Sequence, residues 1–218
     1  MDIKPAPEII SQRLKDQLAP AYLTLTSIIQ GVALAFLAAR VEATYARFDT
    51  TNWLLTIATF LGILTVWNEY LMQILMFVWV PTLVDSLVPF AFLASELFTA
   101  HFVYGGLRYW LLSLGLTFVV GTLANSVTSR QARTFPEENR DIARALTPLI
   151  WVRAVLGTVI PVLCLVAWAL YDVLQLEQVQ TVVALVALGA IIVFLGSSVP
   201  YWNRVLAYAR GEYRKAAD

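Results

Sequence analysis

PAYLTLTSIIQGVALAFLAARV, residues 20–41, is the stretch on which the fold turns. It belongs to a run of 23 residues without charge, Gln17 to Ala39, bounded by Asp16 and Arg40. A helix rising 1.5 Å per residue needs about 20 apolar residues to cross a hydrocarbon layer of about 30 Å, so this run is long enough to span a bilayer. Ser27, Gly31, Ala35 and Ala39 recur every fourth position. Small residues at that spacing let helix backbones approach closely in lipid, which predicts that this ridge faces protein. Gln30 falls near the middle of the span. Its amide carries two donors and an acceptor that hydrocarbon leaves unmet, so it is expected to meet a partner side chain or water, either as a bond to a neighbouring helix or as part of a pore or binding site.

Outward from that span, the 218 residues are 59% hydrophobic and 14% charged, whereas soluble domains carry about 25% charged residues. The chain is therefore expected to be a polytopic, all-α membrane protein that stays in the bilayer of a plasma or bacterial inner membrane. Net charge is zero and no basic tract is present, so nucleic acid is not implied as a partner. Cys164 is the only cysteine and His101 the only histidine. That excludes an intrachain disulfide, a dithiol redox site, a cysteine or multi-histidine metal cluster and bis-histidine haem within one chain. No cofactor is expected. Nor is an enzyme, because no nucleophile paired with a base is visible.

Six spans follow from the uncharged runs, at about residues 20–41, 52–76, 82–104, 109–129, 149–171 and 178–202. Residues 1–19 precede them, where Ile9, Ile10, Leu14 and Leu18 share a face opposite Arg13 and Lys15, as in a short interfacial helix stopped by Pro20. A tight turn is expected near Pro81. Ser113, Thr117 and Gly121 form a second close-packing ridge on span 4. In the loop before span 5, Thr134 and Glu137 have capping-box spacing around Pro136, opening a helix that carries Arg140 and Arg144, with a kink or second start at Thr147 and Pro148. Tyr201 and Trp202 read as an interfacial aromatic pair ahead of the cytoplasmic tail, residues 210–218. With both termini inside, the inner side holds eleven bases, among them Arg130, Arg133, Arg140, Arg144 and Arg204, and the outer side only Arg40, Arg47 and Arg108. That asymmetry favours an N-in, C-in orientation. Arg153, just inside span 5, is expected to snorkel to the inner surface.

Three acids interrupt spans 2 and 3: Glu69, Asp85 and Glu96. Asp85, Pro89, Phe92 and Glu96 share one helical face, which should look into protein or water. Glu69 and Asp85 flank the inner turn and read as interfacial charges, paired with Arg140, Arg144 or Arg153. Glu96 lies deeper and suits either proton or cation passage or a structural pair. His101, near the outer end of span 3, is a surface imidazole whose titration range makes it the pH-sensing candidate. Asn125, Ser126, Thr128 and Ser129 are expected to cap or bond neighbouring helices. Of the tryptophans, Trp53, Trp67, Trp79, Trp110, Trp151 and Trp202 lie near span ends and fit aromatic belts.

Around these positions, Ile28-Ile29-Gln30-Gly31-Val32-Ala33-Leu34, Phe60-Leu61 and Trp67-Asn68-Glu69 faintly resemble the six-helix potassium channels of lysosomes and their bacterial relatives, which lack a selectivity-filter loop. The basic loop before span 5 and the late proline are also similar. Thr24 stands where that family has Arg, Ile28 and Ile29 where it has Phe-Ser, and Gln30 where it has Asp. The resemblance implies a homotetramer whose span 1 lines a central pore for monovalent cations, potassium or protons. It places Ile28, Leu34 and Leu37 at an apolar constriction beside Gln30 and Gly31, which gates by dewetting. Two other classes stay open: a small-molecule carrier or substrate-binding subunit with a pocket near Gln30 and Glu96, and a non-transporting scaffold or sensor that docks a partner on residues 130–144.

Overall fold

The computed structural model describes residues 6–78, 82–133 and 136–210. They form seven α-helices: α1 (Ala6–Thr44), α2 (Thr50–Met76), α3 (Leu83–His101), α4 (Leu107–Ala132), α5 (Pro136–Ala169), α6 (Gln180–Gly196) and α7 (Ser198–Ala209). No strand occurs among the described residues. Six segments are long and apolar enough to cross a membrane, the sixth combining α6 and α7.

Helix starts follow local chemistry. Asp49 and Asn52 form a reciprocal capping box at α2, and Thr82 and Asp85 do the same at α3, satisfying backbone N–H groups that a helix leaves open. Between α3 and α4, Gly105 and Gly106 adopt φ of 148° and 136°, a region that only glycine enters without strain. Arg40 reaches over from α1 to close that corner, with Nε donating to the His101 carbonyl at 3.1 Å and a terminal nitrogen to that of Tyr104 at 2.8 Å.

Three prolines sit inside the apolar parts of helices without ending them. Each removes the N–H that the carbonyl four residues earlier requires. For Pro89 that carbonyl is Asp85, which accepts from the Tyr22 hydroxyl of α1 at 2.8 Å. For Pro161 it is Gly157, whose carbonyl lies 3.0 Å from Thr122 Oγ1 of α4. Two helix breaks are thereby turned into interhelical bonds.

The helices form a closed ring in the order α1, α2, α6, α5, α4, α3, with α7 folded onto α5. The end carrying the α1–α2 and α3–α4 connections is densely packed around Leu55, Trp110, Leu111, Ile160 and Ile191. Trp110 is fully buried and donates to Thr59 Oγ1 at 2.9 Å. At Gly115 an added Cβ would come within 3.2 Å of Cys164, so α4 and α5 pack closely there. The opposite end is held by smaller clusters, one around Met72, Leu146 and Tyr201 and another around Tyr70 and Phe92. There Asn139 brackets the end of α2, accepting from the Val78 N–H and donating to its carbonyl, both at 2.9 Å.

Several expectations change. Pro20 does not stop a short N-terminal helix: α1 runs through it, because a proline costs a helix one bond without forbidding continuation. The side chains proposed to give residues 1–19 an amphipathic face lie outside the described ones, as do Trp79, the turn at Pro81, Thr134 of the proposed capping box and the tail from residue 211. α5 is one helix from Pro136 through Pro148. Trp110 and Trp202 turn inward instead of joining an aromatic belt, each finding a hydrogen-bond acceptor, and Tyr201 is buried. Ser27, Gly31, Ala35 and Ala39 all lie on the exposed side of α1, since α2 and α3 pack against Thr26, Ile29, Gln30, Ala33 and Leu37.

Candidate functional site

Below the packed end lies a partly open cavity of about 480 Å³ between α2, α4, α5 and the α6–α7 junction. Its volume lies within the range of roughly 300–1,000 Å³ typical of small-molecule sites. Along α4 the lining changes from Leu114 and Phe118, through Gly121 and Thr122, to Asn125 and Ser129 and finally Arg130 and Arg133. The cavity is therefore apolar at depth and basic at its mouth.

Arg153 forms one wall. Its guanidinium is buried, pairs with the Glu69 carboxylate of α2 and donates to Ser197 Oγ at 3.0 Å and Ser198 Oγ at 2.9 Å. It also sits over the rings of Phe194 at 4.8 Å and Tyr201 at 5.7 Å. This corrects the expectation that Arg153 snorkels outward: a carboxylate, two hydroxyls and two aromatic faces inside the bundle take the place of water. The same network continues through Asn68, which donates to Ser198 Oγ at 3.0 Å and accepts from Trp202 Nε1 at 2.9 Å. A polar shelf crosses the cavity from α2 to α4, where Gln73 bonds Asn125 and accepts from Thr128 at 3.2 Å.

The residues singled out from sequence distribute as follows. Gln30 Nε2 donates to Glu96 Oε2 at 3.2 Å between α1 and α3, and both residues are buried. Among the described residues, Oε1 of each has no hydrogen-bond partner. Asp85 is buried in its capping role, and Asp85, Pro89, Phe92 and Glu96 do share the inward face of α3. His101 is exposed at the end of α3. The proposed constriction residues do not share a face: Ile28 is 61% exposed and Gly31 exposed, Leu34 half-buried and Leu37 4% exposed. Steps of three residues walk about 60° backward around a helix of 3.6 residues per turn, so four such positions spread over half its circumference.

The cavity lies beside the Gln30–Glu96 pair, separated from it by Tyr70 and Phe92, which line the cavity. Ser197, Ser198 and Gln73 were not singled out from sequence, and Asn68 only as part of Trp67-Asn68-Glu69. A signal for them existed: Glu69 and Arg153 each interrupt an otherwise uncharged run, and charges buried at membrane depth pair and recruit hydroxyls and amides. No three His, Cys, Asp or Glu side chains among the described residues are grouped as a metal site. Compared with protein-family models, curated proteins and solved structures, the chain matches none.

Proposed function

We propose that the chain is a multi-pass membrane carrier or substrate-binding subunit whose site is the cavity between α2, α4, α5 and α7. The observation that carries this reading is the cavity itself: formed within one protomer, mainly apolar, and crossed by a few convergent polar groups, as small-molecule sites are. The reading includes an N-in, C-in orientation, supported by the bases gathered at the cavity's open end, so that the mouth meets the cytoplasmic side.

Access to the site provides the test. In a Cys164→Ser background, Ala154→Cys places one thiol on the cavity wall. A charged, membrane-impermeant thiol reagent is expected to label it from the side bearing the termini and not from the other. Absence of labelling from either side, with the protein folded, removes the carrier reading; labelling from the opposite side reverses the orientation.

A second reading, an ion-conducting homo-oligomer, is favoured by one observation: the exposed ridge Ser27, Gly31, Ala35 and Ala39 on α1, available for close packing against another copy. It requires a symmetric oligomer and bilayer currents that change with Ile28→Ala. A monomer in native mass spectrometry excludes it.

A further inference from the structure

The cavity is long and partly open. Its lining residues on α4 run from Leu114 to Arg133, which at 1.5 Å per residue is about 28 Å along the helix. Its volume of about 480 Å³ lies within the range of small-molecule sites, which suits one hydrocarbon chain and not the bulk of a two-chain lipid. The deep part is bounded by Gly62, Val66, Leu114, Phe118 and Phe194, which offer no charge to a polar group. Among the described residues, the charged side chains of the lining are one acid, Glu69, and three bases, Arg130, Arg133 and Arg153. Glu69 and Arg153 neutralise each other, so the mouth is left with the positive charge of Arg130 and Arg133, both exposed.

We propose that this cavity binds a single-chain anionic amphiphile, with its tail laid along α4 toward Phe118 and its phosphate, sulfate or carboxylate head between Arg130 and Arg133. The proposal rests on the carrier reading and narrows its ligand. Bases at the end of α4 also suit the helix dipole and the cytoplasmic flank of any span. Here they terminate a tube whose other end is apolar, and that gradient matches the polarity of one molecule with a charged head and a lean tail. Guanidinium groups bind phosphate and carboxylate oxygens through paired, charge-assisted hydrogen bonds. A phospholipid with two chains meets the same bases but exceeds a volume of this size, so the ligand is assigned to the single-chain class.

Native mass spectrometry of the purified full-length protein tests this with four probes: decyl phosphate, decyltrimethylammonium, decanol and two-chain phosphatidylglycerol. Decyl phosphate is expected to bind with one-to-one stoichiometry, at least about tenfold more tightly than the ammonium or the alcohol, since one charge-assisted hydrogen bond is worth about that factor. Arg130→Gln with Arg133→Gln should weaken it about tenfold or more, whereas Arg47→Gln, at the opposite end, should not. Ala154→Phe, which narrows the cavity without touching the bases, should abolish binding; if it does not, the head is adsorbing to surface arginines and the proposal fails. Equal binding of all three decyl probes overturns the anionic head and leaves the carrier reading intact. Phosphatidylglycerol binding without decyl phosphate overturns the single-chain assignment. If no probe binds while Ala154→Cys is labelled, the amphiphile proposal fails and the carrier reading stands; if neither occurs, both fall.

Discussion

Arg153 enters the bundle from α5 with its charge met by Glu69, two serine hydroxyls and two aromatic faces. Removing one member of a buried ion pair strands the other. Arg153→Ala is accordingly expected to lower stability by about 3–5 kcal/mol, measured by thermal or denaturant unfolding in detergent. Replacing both members, Arg153→Met with Glu69→Leu, should recover most of that loss; if the double variant is as unstable as the single, the pair is not what Arg153 contributes. The Gln30–Glu96 contact predicts the opposite pattern. Glu96→Gln brings an amide donor beside the unpartnered Oε1 of Gln30, so stability should be unchanged or higher. Gln30→Leu removes the donor to Glu96 Oε2 and is expected to cost about 1–3 kcal/mol, the range for an unsatisfied buried polar group. A large loss in Glu96→Gln contradicts this assignment.

Between elements, the two proline-linked bonds are the parts whose energetics separate most cleanly. The Tyr22 hydroxyl bonds the Asp85 carbonyl, and Pro89 is the reason that carbonyl is open. Tyr22→Phe should cost about 1 kcal/mol in the native chain. In a Pro89→Ala background, where residue 89 regains its N–H, the same change should cost much less, giving a coupling energy in a double-mutant cycle. Equal costs in the two backgrounds mean that the hydroxyl acts elsewhere. The corresponding pair on the cavity side is Thr122 and Pro161, through the Gly157 carbonyl. Helix identity and approximate limits were legible in the sequence, and so were the capping roles of Asp85's neighbourhood in retrospect, through Thr82 three residues before it. The inward turn of Trp110 and Tyr201 was not, because an aromatic residue near a span end satisfies both an interfacial and an interior environment until its partner is known.

For the whole molecule, fusing a reporter active only in the cytoplasm to the C-terminus is expected to give signal, and one active only outside to give none. The reverse result inverts the orientation and places the basic mouth of the cavity outside. The sequence by itself determined that six segments are long and apolar enough to cross a membrane, and where the bases gather, because bilayer thickness dictates the length that an uncharged run must have. It also placed Asp85 and Glu96 on one face of α3 that looks into protein, since charged groups among apolar residues need partners, but it read Glu69 as an interfacial charge. Which face of each span is buried was decided only by the tertiary structure. In a soluble helix water marks the outer face by demanding polarity, but lipid tails are as apolar as leucine, so Ile28 on the outside and Ile29 on the inside carry no difference that composition records. For the same reason the small-residue ridge of α1 looked inward by pattern and lies outward in the fold. The cavity, being space between four helices, became visible only once those helices were packed.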